Sequence, residues 1–289
     1  MRILVLGSNG QLGKSLKDEF DKTKYDVIYK TRDDIDVSDL KNLKKNIFFI
    51  NPDVVINASA YTAVDDAEDN KKMANTLNHK AVSEIASVCK ELKSWFIHIS
   101  TDYVFNGAKD KPYDESDQTD PQSIYGISKL NGEIAILKSD CKYIIIRTAW
   151  LFSAYGNNFL KTMIRLSKNS TKLNVVSDQV GSPTYAPHLA NAIITTLGYL
   201  KQDKVQGIYH YAGTPSVSWA AFAIRIFDEI GLNDDFFKKP AVVEIKTCDY
   251  QTKAKRPANS MLNSDLFEKT FSCKASNWVD GIKKILHET

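Results

Sequence analysis

The chain contains no run of about eighteen apolar residues, so it offers nothing long enough to cross a bilayer as a helix. Cysteine is scarce and scattered. Cys89, Cys141, Cys248 and Cys273 show no C-x-x-C spacing, which excludes the usual zinc and dithiol redox motifs and reads as reduced thiols of a cytosolic protein. The five histidines have no ligand spacing either, and no metal site is expected. An excess of one charge is also missing: 38 Lys+Arg against 35 Asp+Glu leave a formal net charge of +3, spread along the chain. With no arginine-rich tract or helix-turn-helix pattern, the footprint of a nucleic-acid binder is absent. The opening M-R-I-L-V-L-G is too short for a signal-peptide core and lacks a small-residue cleavage site, so a cytoplasmic location is expected. What remains is a chain of 289 residues, 43% hydrophobic and 25% charged, the composition of an ordinary globular protein with one or two sizeable cores.

Short apolar runs alternate with longer helical patterns. The strands expected are 2–6, 26–30, 53–58, 95–100 and 143–149, rich in Ile and Val without clean alternation, as in a parallel sheet buried on both faces. Helices are expected near 11–22, 38–49, 78–92 and 124–139. Strand, helix and strand at this spacing mean βαβ units and a Rossmann-like, doubly wound α/β sheet. Residues 1–150 would form the NAD(P)-binding domain. Residues 151–289, with helices near 157–168, 187–200, 217–230 and 277–287 and strands at 173–177 and 207–211, would complete the sheet and add a smaller C-terminal substrate lobe.

The first strand runs into Gly7-Ser8-Asn9-Gly10-Gln11-Leu12-Gly13. In a strand–turn–helix setting these glycines have distinct uses. Gly7 permits the tight turn, Gly10 lets backbone approach a pyrophosphate, and Gly13 lets the helix pack on the strand, whose N-terminus then faces the phosphates. After the second strand, Lys30 and Arg32 could accept a 2′-phosphate and Asp33 or Asp34 a ribose hydroxyl, with Asp36-Val37 placed along the adenine. The balance favours NADPH, with NADH also usable.

Tyr125 and Lys129 stand four apart, on one face of the helix expected at 124–139. With thirteen tyrosines in the chain, a chance Y-x-x-x-K is unremarkable and a solvated surface pair is the plain alternative. Context changes the weighing. Thr101 follows the fourth strand in S-T-D-Y-V-F-N-G, and ligands in open α/β sheets lie beyond the carboxyl ends of the strands. A hydroxyl, a tyrosine and a lysine beside a nicotinamide make a carbonyl-reduction site. Tyrosine, with an ordinary pKa of about 10, is a poor acid near neutrality, and lowering it by about 3 units takes roughly 4 kcal/mol. A positive charge about 4 Å away supplies that much at an effective dielectric constant of about 20. Lys129 is therefore expected to acidify Tyr125, and Thr101 to hydrogen-bond the ketone oxygen.

These motifs resemble those of the extended short-chain dehydrogenase/reductases, and more narrowly of the dTDP-4-dehydrorhamnose reductase family. The likeness spans nearly the whole chain: G-x-x-G-Q-L-G at 7–13, N-A-S-A-Y-T-A-V-D-D-A-E at 57–68, S-T-D-Y-V-F-N-G at 100–107, P-Q-S-I-Y-G-I-S-K-L-N-G-E at 121–133, R-T-A-W-L-F at 147–152, D-Q-V-G-S-P-T-Y-A at 178–186 and R-P-A-N-S at 256–260. The resemblance implies Thr101, Tyr125 and Lys129 as catalytic residues. It implies Gly10, Gln11, Leu12, Asp36, Val37, Ala60, Tyr61 and Thr62 as cofactor contacts, and Val64, Thr101, Asp102 and Trp150 as contacts to a nucleotide sugar. The basic segment 253–257 is a candidate for the substrate diphosphate. Some members of the family hold magnesium at a dimer interface through glutamates. Here Ser15 occupies the matching early-helix position and His188 interrupts the later A-P-D-L-A pattern, so a monomer or a homodimer without a bridging metal is expected. Sugar-nucleotide dehydratases share the fold but carry T-D-E where this chain has Thr101-Asp102-Tyr103. An epimerase, or a binding protein like the methionine adenosyltransferase regulatory subunit, would retain the same motifs. Net NADPH oxidation separates a reductase from both.

Overall fold

A computed structural model describes residues 1–234 and 236–288. In the first half, strands β1 (Arg2–Leu6), β2 (Asp26–Lys30), β3 (Val54–Asn57), β4 (Trp95–Thr101) and β5 (Lys142–Thr148) fall within a residue or two of the expected runs. Between them lie α1 (Gln11–Phe20), α2 (Leu40–Ile50), α3 (Val64–Asp69), α4 (Lys71–Asn75), α5 (Ala81–Leu92) and α6 (Ile124–Lys138). In the second half come β6 (Leu151–Phe152), α7 (Phe159–Ser167), β7 (Lys172–Val176), β8 (Val180–Gly181), β9 (Thr184–Tyr185), α8 (Ala186–Leu197) and β10 (Gly207–His210). The chain continues through β11 (Val217–Ser218), α9 (Trp219–Asn233), β12 (Ala241–Ile245), α10 (Asp265–Phe271) and α11 (Trp278–Glu288).

The main sheet has six strands in the order β10-β5-β4-β3-β1-β2, and every pairing in it is parallel. The strands lack simple alternation because both faces are covered. Ile3, Val5, Val54, Ile56, Ile97, Ile144 and Ile146 pack under α1, α8 and α10, against Leu12, Leu16, Ile193, Phe267 and Phe271. Their neighbours Leu4, Leu6, Val55, Phe96 and Ile145 pack on the other face under α2, α5 and α6, against Leu43, Ile47, Ile85 and Ile136. A third core, built around Phe152, Leu160, Phe222, Phe227, Trp278 and Ile282, belongs to the lobe formed by α7, α9 and α11. The chain passes between sheet and lobe after residue 150, since α8, β10 and α10 return to the main sheet. Strand order reverses between β1 and β3, the position where open α/β sheets leave a crevice for ligands.

Several elements went unforeseen. The stretch expected to begin a helix at 78 is preceded by α3, α4 and a π-helical turn, Thr76–Lys80, which runs directly into α5. A π turn depends on hydrogen bonds five residues apart and is selected by tertiary packing rather than by a sequence period. Strand β12 pairs in parallel with β7, and α10 closes over the end of the main sheet; both are short, five and seven residues. Among the described residues no helix is long and apolar enough to cross a membrane.

Candidate active site

A cleft of about 760 Å³ opens beyond the carboxyl ends of β1, β3, β4 and β5. Its floor is the turn from β1 into α1. The amide of Gly10 closes the turn on the Gly7 carbonyl at 3.0 Å, and α1 starts at Gln11 with no side chain capping its free N–H groups. Those N–H groups and the positive end of the helix dipole suit a pyrophosphate. Gly13 has the close-packing role expected of it: a Cβ there would stand 2.3 Å from the Gly7 carbonyl oxygen.

Gly7, Gly10, Gln11, Leu12, Arg32, Asp36, Val37, Ala60, Thr62, Val64, Thr101, Asp102, Tyr125, Lys129 and Trp150 all line this cleft. Gly13 and Tyr61 do not. Gly13 acts beneath the turn, and Tyr61 is anchored by its backbone, its N–H donating to Asn78 Oδ1 at 2.8 Å and its carbonyl accepting from Asn78 Nδ2 at 3.0 Å. The side chain of Gln11 is engaged elsewhere. Its Nε2 donates to the Leu151 carbonyl and its Oε1 accepts from Asn158, tying the turn to the 151–158 segment. After β2, Asp34 accepts from the N–H and hydroxyl of Thr31, and Asp36 from the N–H and hydroxyl of Ser38. Both carboxylates are held below their usual range by these bonds. Arg32 is the exposed cation at the cleft edge.

Local structure accounts for how the three catalytic candidates meet. Ser123 caps α6, accepting from the Gly126 N–H at 3.2 Å, and Glu68 of α3 accepts from the Ile124 N–H at 2.8 Å. Tyr125 therefore sits in the first turn of the helix. Gly126 allows the helix to lie against the 3₁₀ turn Asp102–Val104, since a Cβ there would approach the Tyr103 carbonyl oxygen to 2.3 Å. Tyr125 packs edge-on to Tyr103, ring centroids 5.5 Å apart, and is hydrogen-bonded with Thr101.

The structure corrects the expectation that Lys129 acidifies Tyr125, and it gives Thr101 a resting partner. Lys129 does not face the Tyr125 hydroxyl: its Nζ donates to the Ile99 carbonyl at 2.6 Å and lies 3.3 Å from His98 Nε2. The i,i+4 spacing puts the two Cβ atoms together, but the four-carbon stem carries the charge under β4. Burial raises the Tyr125 hydroxyl above its ordinary pKa, against the opposing effect of its bond with Thr101. Thr101 has one hydroxyl proton and donates it to Asp102 Oδ1 at 2.9 Å, while accepting from the Tyr103 N–H. To donate to a ketone it has to turn that proton away from Asp102. Asp102 is buried, its Oδ2 has no partner in hydrogen-bond geometry, and desolvation pushes it up to about 6, opposed by the nearby Ser260 hydroxyl.

The basic segment 253–257 reaches the cleft through Arg256, whereas Trp219 escaped sequence reasoning. Arg256, from the basic segment, donates to the Tyr103 hydroxyl at 3.0 Å and pairs with Asp65 at 2.7 Å. Tyr103, whose identity argued against a dehydratase, thus anchors a cation in the cleft wall. Trp219 stacks face to face on Trp150 at 3.4 Å, and Trp150 adopts a left-handed backbone, φ 44°, rarely taken by a bulky residue. Behind the site, Glu133 and Arg147 form a buried two-pronged ion pair at 3.0 and 2.7 Å. The sequence signal was present for His98, a histidine between Ile97 and Ile99 in the apolar part of β4, but not for its partners.

A family profile described as "RmlD substrate binding domain" matches residues 1–289. The dTDP-4-dehydrorhamnose reductase of Aggregatibacter actinomycetemcomitans is 41% identical over 287 residues, covering 98% of each chain. The chain belongs to the dTDP-4-dehydrorhamnose reductase family. Solved structures agree. The family's Clostridium acetobutylicum protein superposes with a TM-score of 0.93 at 34% identity, covering 100% of this chain and 99% of that one. The reductase of Bacillus anthracis, solved in complex with NADP, gives a TM-score of 0.91 at 34% identity over the same shares.

Proposed function

We propose that this protein reduces the C4 ketone of dTDP-4-dehydro-β-L-rhamnose to dTDP-β-L-rhamnose with NADPH or NADH, in nucleotide-sugar synthesis for surface polysaccharide. The observation that carries the reading is the meeting of Thr101, Tyr125 and Lys129 on the wall of a cleft whose floor is an uncapped helix N-terminus. The residues present fit a dinucleotide: the space beside Gly13 is closed to a side chain, the first N–H groups of α1 are free for phosphate, and Arg32 is a cation on the cleft lining, of the charge that suits a 2′-phosphate. When bound, the reduced nicotinamide supplies a hydride to the carbonyl carbon. Tyr125 delivers the proton to the oxygen, Thr101 orients that oxygen, and Lys129 holds ribose hydroxyls. Val64, Asp102, Trp150 and Arg256 line the side left for the sugar and its diphosphate. Residues 1–150 hold the cofactor and 151–289 complete the substrate side, in a protein acting in the cytoplasm.

The test is NADPH oxidation across a panel of 4-keto-6-deoxy sugar nucleotides, with product stereochemistry read by NMR. One NADPH consumed per rhamnosyl product supports the reading; interconversion without net oxidation, or no turnover at all, sinks it. Cofactor preference has its own test. Arg32→Ala is expected to raise the KM for NADPH roughly 10- to 100-fold, the loss of a charge-assisted contact of about 1.5–3 kcal/mol, and to leave the KM for NADH unchanged. An equal rise for both cofactors would show that Arg32 does not meet the 2′-phosphate.

A further inference from the structure

A buried chain of polar groups runs from the cofactor edge to the back of Lys129. Asn57, at the end of β3, and Ser59 both line the cleft, and His98 lies fully buried in β4. The N–H of Ser59 donates to Asn57 Oδ1 at 3.1 Å and the Ser59 hydroxyl donates to the same atom at 2.5 Å. A backbone N–H can only donate, so this pair fixes which end of the Asn57 amide is oxygen, and it fills both lone pairs. The amide nitrogen of Asn57 therefore faces His98 Nδ1, at 3.3 Å, as a donor. His98 Nδ1 must accept, which leaves the ring proton on Nε2, the atom 3.3 Å from Lys129 Nζ. An ammonium has three donors and no lone pair. The row Asn57–His98–Lys129 thus holds one proton too many whenever Lys129 is charged, and it is fully satisfied when Lys129 is a neutral amine that accepts from His98.

We propose that Asn57 and His98 are positioning residues that govern the proton on Lys129: Asn57, fixed by Ser59, holds His98 as the Nε2–H tautomer, which denies the lysine ammonium an acceptor on that side and leaves it ready to release its proton. The inference rests on the reductase reading for its purpose, because a lysine behind the proton-donating tyrosine is most useful when its two forms are nearly balanced at working pH. Other charges around the pair are accounted for. Glu133, on the lysine's own helix, favours the ammonium but is engaged by Arg147 of β5, and His210 of β10 lies beyond Arg147 at 3.4 Å. Glu68 of α3 is taken by the Ile124 N–H, and His79 of the π turn by Asn75. Asp102 and Tyr103, after β4, act on Tyr125. Burial agrees in direction: it brings Lys129 down to about 8 and keeps His98 neutral, well below the usual histidine range. The ammonium therefore prevails below about pH 8 and is lost above it.

Asn57→Asp reverses the logic. A carboxylate keeps the Ser59 bonds on one oxygen and accepts from His98 Nδ1 with the other, so the ring proton moves to Nδ1 and Nε2 becomes an acceptor for the Lys129 ammonium. The experiment is ¹⁵N NMR of the full-length protein labelled at histidine, with His98 assigned through His98→Gln, together with titration of Lys129 followed at its Cε resonance. In the wild type His98 is expected protonated on Nε2 at neutral pH. In Asn57→Asp it is expected on Nδ1, with the Lys129 titration, and the alkaline limb of kcat/KM, moved up by about one unit or more. Wild-type His98 protonated on Nδ1 or on both nitrogens overturns the proposal even if the variant does not fold. So does a variant in which the tautomer changes and Lys129 titrates as before. The NMR readings are made on free protein, so a failure of turnover on every keto sugar would reject the reductase reading and leave the relay standing.

Discussion

Tyr125→Phe is expected to lower kcat on the keto sugar by about 10²- to 10⁴-fold while NADPH binds as tightly as before, the loss typical when a positioned proton donor is removed. The substitution deletes one hydroxyl. The ring stays packed edge-on to Tyr103, and the Ser123 and Glu68 bonds that start α6 use backbone groups the variant retains. Folding is therefore not at stake, and fluorescence titration with NADPH checks it directly. The structure makes this a demanding test, because burial raises the Tyr125 hydroxyl above its ordinary pKa rather than lowering it. A raised pKa keeps the phenol protonated across the working range, as a proton donor must be. It also means that positive charge has to reach the tyrosine during reaction for the proton to leave. Turnover within about tenfold of wild type would show that another group, with Asp102 the nearest acid, delivers the proton.

Arg147→Met should cost about 3–5 kcal/mol of stability, because it strands the Glu133 carboxylate in the interior. Arg147 Nε and Nη2 hold the two carboxylate oxygens at 3.0 and 2.7 Å, and the side chains are only 3% and 1% exposed. The guanidinium also lies over the Phe105 ring, 5.1 Å from its centroid. Methionine replaces most of that volume, so the loss is one of charge balance. The double variant Arg147→Met, Glu133→Leu is expected to recover much of the deficit, since a buried ion pair replaced by apolar side chains is often close to neutral. Urea denaturation of the three proteins decides it. A single variant within about 1 kcal/mol of wild type, at an unchanged slope, would mean that water reaches Glu133 and that the pair is not the buried unit drawn above.

Much of this was legible before any coordinates. Parallel strands buried on both faces announce themselves as Ile/Val runs, and so β1 to β5 emerge nearly residue for residue. The glycine turn, Thr101, Tyr125 and Lys129 could be placed at one cleft because the doubly wound topology sends every strand's carboxyl end to the same edge. Spacing stops at Cβ, however. It pairs Tyr125 with Lys129 but cannot say that the ammonium reaches back to the Ile99 carbonyl, or that the Thr101 hydroxyl already donates a hydrogen bond to Asp102. Contacts between distant segments stayed hidden for a different reason. Trp150 with Trp219, Arg256 with Asp65 and Tyr103, and Asn78 with the Tyr61 backbone each join elements that carry no common period.

The most direct measurement follows the hydride. With NADPH carrying deuterium at the transferable C4 position and dTDP-4-dehydro-β-L-rhamnose as substrate, the product should be dTDP-β-L-rhamnose with one deuterium at sugar C4 for each NADPH oxidised. Unlabelled product, label at another carbon, or cofactor recovered in its reduced form after turnover would contradict the account.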